Sequence, residues 1–159
     1  GFGSGIVIPG YGVALSARGI NFSMDPRSDN CVGPRKKSYH TIIPGFLSRN
    51  GQAIGPFGVM GAFMQPQGQL QVLMNTIDFH LNPQAALDAP RWQWVGGKRI
   101  EVEAGVPKAI VEGLRRKGHD VVVKADPIPY GRGQIIWRNE QGVLSGATQP
   151  RADGTVAAW

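Results

Sequence analysis

Short apolar runs bounded by glycine, proline or asparagine dominate this chain and predict strands joined by tight turns. Asn50-Gly51 stands between two such runs and is a favoured hairpin turn, and Gly96-Gly97 occupies the same kind of place further along. A single run, residues 121–123, predicts a buried strand. The paired runs that predict hairpins are residues 6–8 and 12–15, 41–47 and 53–61, 92–95 and 99–103, and 134–138 and 143–146.

Three helices are predicted among these strands. In residues 66–79, apolar residues recur at helical spacing with mostly glutamine and asparagine between them, which is typical of an amphipathic helix. Asn82 before Pro83 predicts the start of a short helix over residues 83–89, and a third runs from Pro107 to Gly118. The apolar positions of the first helix are Leu70, Leu73, Met74 and Ile77. Hairpin-joined strands with intervening helices predict an α+β fold, mostly antiparallel, with helices on the sheet faces.

Composition supports a folded domain and excludes several other classes. The 159 residues suit one domain, and we expect a single domain over residues 1–159. The 23 glycines and 12 prolines make up about 22% of the chain, against about 12% in average proteins. They follow no collagen period, and they interrupt every stretch long enough for a coiled coil. A hydrophobic content of 42% is too high for a disordered chain.

Charge and cysteine content limit the classes of partner and cofactor that the chain can have. Cys31 is the single cysteine and the three histidines are scattered, so we predict no disulfide, no metal and no cofactor. The lack of disulfides favours the cytoplasm and leaves the periplasm or the exterior open. No apolar run suits a bilayer, so no membrane partner is expected. The net charge is +6, but no aromatics interleave with the basic clusters, so we expect no nucleic acid partner; a basic nucleic-acid-binding module remains an alternative.

The residues themselves give two hints of chemistry. His40 lies where a long polar loop meets a strand, and this position suits either a base or an ordinary hydrogen-bonded histidine. Residues 58–62 are small and lie where a strand ends before a helix. Their backbone N–H groups suit an oxyanion hole, while close strand-to-helix packing explains the small residues equally well. No Gly-x-Ser-x-Gly sequence marks a serine nucleophile.

Several segments, in order along nearly the whole chain, resemble the small subunit of γ-glutamyltransferases (glutathione hydrolases), in their transferase-like and cephalosporin-acylase-like branch. They are Gly3-Ser4-Gly5-Ile6-Val7-Ile8-Pro9-Gly10, Gly33-Pro34-Arg35-Lys36, Tyr39-His40-Thr41-Ile42-Ile43-Pro44, Phe63-Met64-Gln65-Pro66-Gln67-Gly68, Leu70–Asn75 with Asp78-Phe79, Ala89-Pro90-Arg91, and Gly146-Ala147 to Pro150-Arg151. The resemblance implies an N-terminal-nucleophile (Ntn) hydrolase, of which this chain is part of the four-layer αββα sandwich. A self-cleaving precursor then exposes an N-terminal threonine that attacks a γ-glutamyl amide.

The nucleophile that the resemblance implies is absent. It lies upstream of the glycine-rich segment in the family, Gly1 cannot serve, and the threonines here are internal. We therefore expect the chain to be the back part of a larger protein and to be inactive alone. Its partners are expected to be the remaining segment or large subunit of its own precursor and a small γ-glutamyl or related acyl amide. The alternative is a catalytically inactive, truncated or structural fragment.

The resemblance also implies site residues. Gly61 and Ala62 align with the glycines whose N–H groups form the oxyanion hole. His40 and Thr41 align with serines that hold the substrate carboxylate, and a protonated histidine and a hydroxyl can bind the same group. The glutamine and aspartate that hold the substrate amino group align with Arg18 and Asn21. Because an arginine repels an ammonium group, we expect an altered acyl specificity, for a dicarboxylic group such as glutaryl or one without the amine.

Overall fold

Residues 3–159 are described by a computed structural model, and the chain divides after Thr41 into two units. Gly1 and Phe2, with which the glycine-rich opening segment begins, lie outside the described residues. The second unit spans Ile42–Trp159. The single domain expected over residues 1–159 stays a prediction.

The first unit holds little regular structure. Strands β1 (Val7–Ile8) and β2 (Val13–Ala14) form the antiparallel hairpin that the sequence predicts. A 3₁₀ helix spans Arg18–Asn21, and irregular backbone follows to Thr41. No residue among 3–41 is buried. The apolar side chains of this segment therefore lie on its surface.

The second unit contains two sheets and three α-helices. In chain order its elements are β3 Gly45–Arg49, β4 Gln52–Met60, α1 Met64–Ile77, α2 Pro83–Asp88, β5 Trp92–Gly96, β6 Arg99–Glu103, α3 Lys108–Arg116, β7 Asp120–Lys124, a 3₁₀ helix Ile128–Tyr130, β8 Arg132–Arg138 and β9 Leu144–Thr148. The hairpins predicted around Asn50-Gly51 and Gly96-Gly97 are confirmed. Asn82 caps α2, since its side chain accepts a hydrogen bond from the Ala85 N–H at 2.8 Å.

The larger sheet has the order β3-β4-β8-β9 and is antiparallel throughout. Strands β4 and β8 pair from Phe57 opposite Ile135 to Met60 opposite Arg132. Helices α1 and α2 pack on this sheet and close the main core. The buried members of that core are Phe57, Val59, Val72, Ala86, Leu87, Ile135, Trp137 and Ala147. Burial of these alternate strand residues fixes the register, because a slip of one residue would expose them.

The smaller sheet has the order β5-β6-β7. Its β6–β7 pair is parallel, whereas every other named strand pair is antiparallel. Helix α3 supplies the crossover that a parallel pair requires. It buries Val111 in a second core with Ile100, Val102 and Val121. The predicted mixed fold with mostly antiparallel sheets is therefore present.

Helix α1 buries a different face from the one its sequence suggests. Its buried residues are Met64, Gly68, Gln71 and Val72, while Leu70, Met74 and Ile77 are exposed. The reason lies at the outer edge of β5, where the backbone groups of Trp92 and Trp94 lack a neighbouring strand. The Gln71 amide donates to the Trp92 carbonyl at 2.8 Å, and its oxygen accepts from the Trp92 N–H at 3.0 Å. Gln67 makes the same two bonds with Trp94, which a leucine side chain cannot make.

None of the helices in residues 3–159 combines the length and the apolar content that a membrane crossing requires.

Candidate functional site

The turn between β4 and α1 has the backbone geometry of an anion-binding nest. Gly61 has φ 148°, Ala62 is left-handed at φ 52°, and Phe63 is right-handed at φ −65°. Successive left- and right-handed residues direct neighbouring N–H groups toward one point. Within residues 3–159, the N–H groups of Ala62 and Phe63 have no hydrogen-bond partner. The turn is closed by the N–H groups of Met64 and Gln65, which donate to the carbonyls of residues 61 and 62 at 3.0 and 3.1 Å. We call residues 61–63 the nest.

Close packing also explains the glycine at position 61. A Cβ on Gly61 would lie 3.0 Å from the Cα of Gly131, and a Cβ on Gly131 would lie 2.5 Å from the Met60 carbonyl oxygen. Gly131 has φ 79°, which favours glycine as well. Close packing therefore accounts for the glycine at position 61, and the oxyanion-hole role of this turn stays a prediction. The nest therefore packs against Gly131, the residue just before β8, and the position of Gly131 limits where the nest can lie.

A buried arginine holds Gly131 in place. The side chain of Arg91 donates from Nη1 to the carbonyl oxygens of Tyr130 and Gly131, at 2.9 and 3.0 Å. Its Nη2 donates to the Leu87 carbonyl at 3.3 Å and to Gln149 Oε1 at 2.9 Å. Arg91 is only 1% exposed. Because one planar guanidinium satisfies four acceptors, α2, the segment just before β8 and the residue just after β9 are held together.

Glu103 supplies the carboxylate of this cluster. Its carboxylate accepts from the Arg91 backbone N–H at 2.6 Å and from Arg151 Nε at 2.5 Å, and it pairs with Arg151 Nη2 as well. The pKa of Arg91 is lowered to about 10; burial is the largest cause, the positive charge of Arg151 acts in the same direction, and the negative charge of Glu103 opposes both. We call Arg91, Glu103, Gln149 and Arg151 the buried cluster.

The sequence analysis includes the two arginines of the buried cluster in the family resemblance but assigns them no function. Arg91 and Arg151 each follow a proline, in Ala89-Pro90-Arg91 and Pro150-Arg151, and both segments belong to the family resemblance. The structure shows that the two arginines share Glu103, although they are far apart in the chain. Two proline-arginine pairs and a glutamate elsewhere in the chain are too common to predict that contact.

The residues expected to bind the acyl group lie in the first unit, whereas Gly61 and Ala62 lie in the second. Arg18 and Asn21 begin and end one 3₁₀ helix. Arg18 Nη1 donates to Thr41 Oγ1, so the structure brings these two together. His40 precedes Thr41 on exposed, irregular backbone.

Asn21 and its neighbours line a cavity. It has a volume of about 310 Å³ and is lined by Gly3, Ser16, Ala17, Arg18, Ile20 and Asn21. The Asn21 backbone carbonyl accepts from Asn30 Nδ2 at 2.6 Å, while its own Nδ2 is buried and has no partner among the described residues. The lining of the cavity therefore includes an arginine and an asparagine.

Two of the internal threonines have structural hydrogen bonds. Thr76 donates from Oγ1 to the Val72 carbonyl within α1, at 2.9 Å, and Thr148 Oγ1 accepts from Gln134 Nε2 at 3.0 Å. No cluster of three or more metal-ligating side chains occurs in the described part of the chain. The second unit thus contains a backbone nest with the buried cluster beside it, and the first unit, taken by itself, contains a polar pocket.

The mixed fold with mostly antiparallel sheets and helices packed on them agrees with the fold class that the sequence predicts. The sequence profile of the gamma-glutamyltranspeptidase family matches residues 1–159, so the chain belongs to that family. The predicted resemblance is thereby confirmed. The predicted fold class is confirmed by a solved cephalosporin acylase from Bacillus halodurans, which is 63% identical and matches all of this chain with a TM-score of 0.87; the match covers 30% of that chain.

Curated relatives are precursors of enzymes. The glutathione hydrolase-like YwrD proenzyme of Bacillus subtilis is 33% identical over 98% of this chain, and the oxamate amidohydrolase proenzyme of Klebsiella pneumoniae is 34% identical over 99%. The chain spans 31% of the length of each. It therefore corresponds to one portion of a longer precursor in these relatives.

Proposed function

We propose that this chain is the substrate-binding and oxyanion-hole portion of a γ-glutamyltransferase-like amidohydrolase or acyltransferase. The observation that carries the proposal is the nest, where the backbone N–H groups of Ala62 and Phe63 have no hydrogen-bond partner among residues 3–159 and lie beside the N-terminus of α1. Such donors stabilise the negative oxygen that forms when a nucleophile adds to an amide carbonyl. The nucleophile is an N-terminal threonine that the rest of the precursor supplies.

The reaction proceeds through an acyl-enzyme. The threonine hydroxyl transfers its proton to the threonine α-amine, and its oxygen bonds to the substrate carbonyl carbon. The carbonyl oxygen takes the negative charge and lies in the nest. When the tetrahedral species collapses, the C–N bond breaks and the amine leaves with the proton. Water or an acceptor amine then attacks the ester and releases the acyl group.

The acyl group is proposed to carry a carboxylate and no ammonium. Arg18 Nη1 donates to Thr41 Oγ1, which places a guanidinium beside a hydroxyl, and His40 precedes Thr41 in the chain. Together they suit a carboxylate, and the guanidinium disfavours an ammonium nearby. Oxamate, named in one relative, is itself an amide with a carboxylate and without an ammonium. We infer a dicarboxylic acyl group such as glutaryl.

The remaining part of the precursor is the proposed protein partner. Large apolar side chains of the first unit are exposed, among them Ile6, Tyr11 and Ile20, the last at 84%. A further apolar strip follows α1 through Leu70 and Ile77. Apolar surface of this extent is typical of an interface. Association with the rest of the precursor would bury it and complete the sandwich.

The first experiment is expression of the full parent protein. We expect it to cleave itself into two chains, the smaller beginning at threonine, serine or cysteine, and to hydrolyse glutaryl p-nitroanilide faster than γ-glutamyl p-nitroanilide. A precursor that stays uncleaved and shows no amidase activity would refute the proposal in favour of the inactive fragment.

Arg18→Gln tests the acyl assignment in the same protein. It restores the amide that the family has at this position, so we expect kcat/KM to fall about tenfold for glutaryl p-nitroanilide and to rise for the γ-glutamyl substrate. Arg27→Gln is the matched control, because Arg27 lies in the same unit and its side chain is 89% exposed. An equal loss on both substrates would contradict a specificity role for Arg18.

A further inference from the structure

A groove beside the nest remains without a function. It has a volume of about 630 Å³, within the usual range for ligand sites, and is lined by Phe63, Pro66, Gln67, Gln93, Trp94 and Val95. None of these side chains is charged. Phe63 is 93% exposed and Trp94 is 55% exposed, so both rings are open to a ligand.

Hydrogen bonds fix the indole wall of this groove before any ligand binds. The Trp94 backbone N–H donates to Gln67 Oε1 at 2.7 Å, and Gln67 Nε2 donates to the Trp94 carbonyl at 3.2 Å. The indole Nε1 donates to the Gly97 carbonyl at 2.9 Å. An aromatic side chain held in this way loses little conformational entropy when a ligand packs on it.

Phe63 connects the groove to the nest. Its backbone N–H belongs to the nest, and its side chain forms a wall of the groove. A substrate whose carbonyl oxygen lies in the nest therefore has part of its structure within reach of the groove. An uncharged apolar groove is unsuited to the carboxylate of the acyl group, because burying that charge without a partner is costly. The portion on the other side of the amide bond is the leaving amine.

We propose that this groove binds the leaving amine of the substrate when that amine is aromatic or heterocyclic, with its ring packed between Phe63 and Trp94. The proposal rests on the amidase function proposed above. Offset or edge-on ring contacts supply the attraction, and the Gln93 amide borders the groove as a polar contact. Amides of aromatic amines are then favoured over primary amides of the same acid.

The test uses the processed parent enzyme and two substrates with one acyl group, glutaryl p-nitroanilide and the primary amide of glutaric acid. For each variant we take kcat/KM for the anilide divided by kcat/KM for the primary amide, and compare this ratio with that of the wild type. The different intrinsic reactivities of the two substrates cancel in this comparison. We expect Trp94→Ala to lower the ratio about tenfold, mainly through KM of the anilide, and Trp94→Phe to restore it to within about threefold. Trp92→Ala is the control, because Trp92 lies on the same strand outside the groove, and its ratio should stay within about twofold.

A measurement on the wild-type enzyme complements the variants. Aniline should inhibit hydrolysis of the primary amide competitively at a concentration about tenfold below that of an aliphatic amine of similar size. An unchanged ratio in Trp94→Ala, or equal inhibition by the two amines, overturns the groove proposal alone. If the Trp94→Ala precursor fails to cleave itself, the groove proposal is overturned too. Trp94 would then be needed for contacts within the precursor and not for binding the leaving amine. If the wild-type enzyme hydrolyses neither amide, the proposed function and the groove proposal both fail.

Discussion

Replacing Glu103 by glutamine should destabilise the second unit more than any comparable surface change. The substitution keeps the shape of the side chain and removes its charge. Arg91 and Arg151 would then share a buried region with no carboxylate in contact, and a glutamine amino group would face one of their donors. Three hydrogen bonds to the carboxylate are affected, from the Arg91 backbone and from two nitrogens of Arg151.

The size of the effect follows from burial. The side chains of Glu103 and Arg151 are each 8% exposed. Removing one partner of a buried ion pair costs about 3–5 kcal/mol, because the remaining charge stays uncompensated. An exposed pair contributes well under about 1 kcal/mol. Since about 1.4 kcal/mol equals a factor of ten, local opening around β6 should become roughly 10²-fold or more frequent.

Hydrogen exchange in the processed parent protein measures this opening directly. The reporter amides are those of Glu103, which donates to the Arg91 carbonyl at 3.0 Å, and Ala104, which donates to the Lys124 carbonyl at 3.0 Å. We expect their exchange to accelerate by the factor above. Glu112→Gln is the control, because Glu112 forms an exposed pair with Lys108 at 3.7 Å. Exchange rates equal in the two variants would refute the charge argument.

Substitutions at three further positions test the nest and the residues near it. Ala62→Val should lower kcat at least tenfold, because a branched residue resists φ 52°, whereas Ala62→Gly should stay within about threefold of wild type in the same amidase assay. Gly131→Ala places a Cβ 2.5 Å from the Met60 oxygen at φ 79°, so the parent should lose about 2–4 kcal/mol in denaturant unfolding, and an unchanged midpoint would contradict this contact. Burial raises the pKa of Tyr130, so the folded state keeps a proton that the unfolded state releases above about pH 10, and stability falls as pH rises. Tyr130→Phe should reduce that alkaline drop in Tm while matching wild type at pH 8, since the hydroxyl has no partner among the described residues.

Local signals predicted the elements well because their causes are local. Asn50-Gly51 supplies the left-handed residues that a tight turn needs, with φ 50° and 77°. Asn82 and Pro83 together define a helix start. The strand and helix limits that follow from these residues agree with the structure to within a few residues at most ends.

Contacts between segments that are distant in the chain could not be predicted from the sequence. Leu70 belongs to the apolar positions of α1 but is 52% exposed, whereas Gln71 is buried because it supplies an amide partner to the sheet edge at Trp92. The parallel pairing of β7 with β6 depends on where α3 packs. In the candidate site, the small residues before α1 indicated the nest, but its support by Arg91 depends on Tyr130 and Gly131, which are remote in the chain.

The glutamines of α1 have a consequence for solubility. A free strand edge is where a second chain can add in register and start an aggregate. Gln67 and Gln71, one helical turn apart, occupy the outward N–H and C=O groups of Trp94 and Trp92, so a helix closes the edge that a strand would otherwise extend. Two apolar tryptophans can thus lie on an outer strand while the precursor folds, without offering its backbone to a neighbouring molecule.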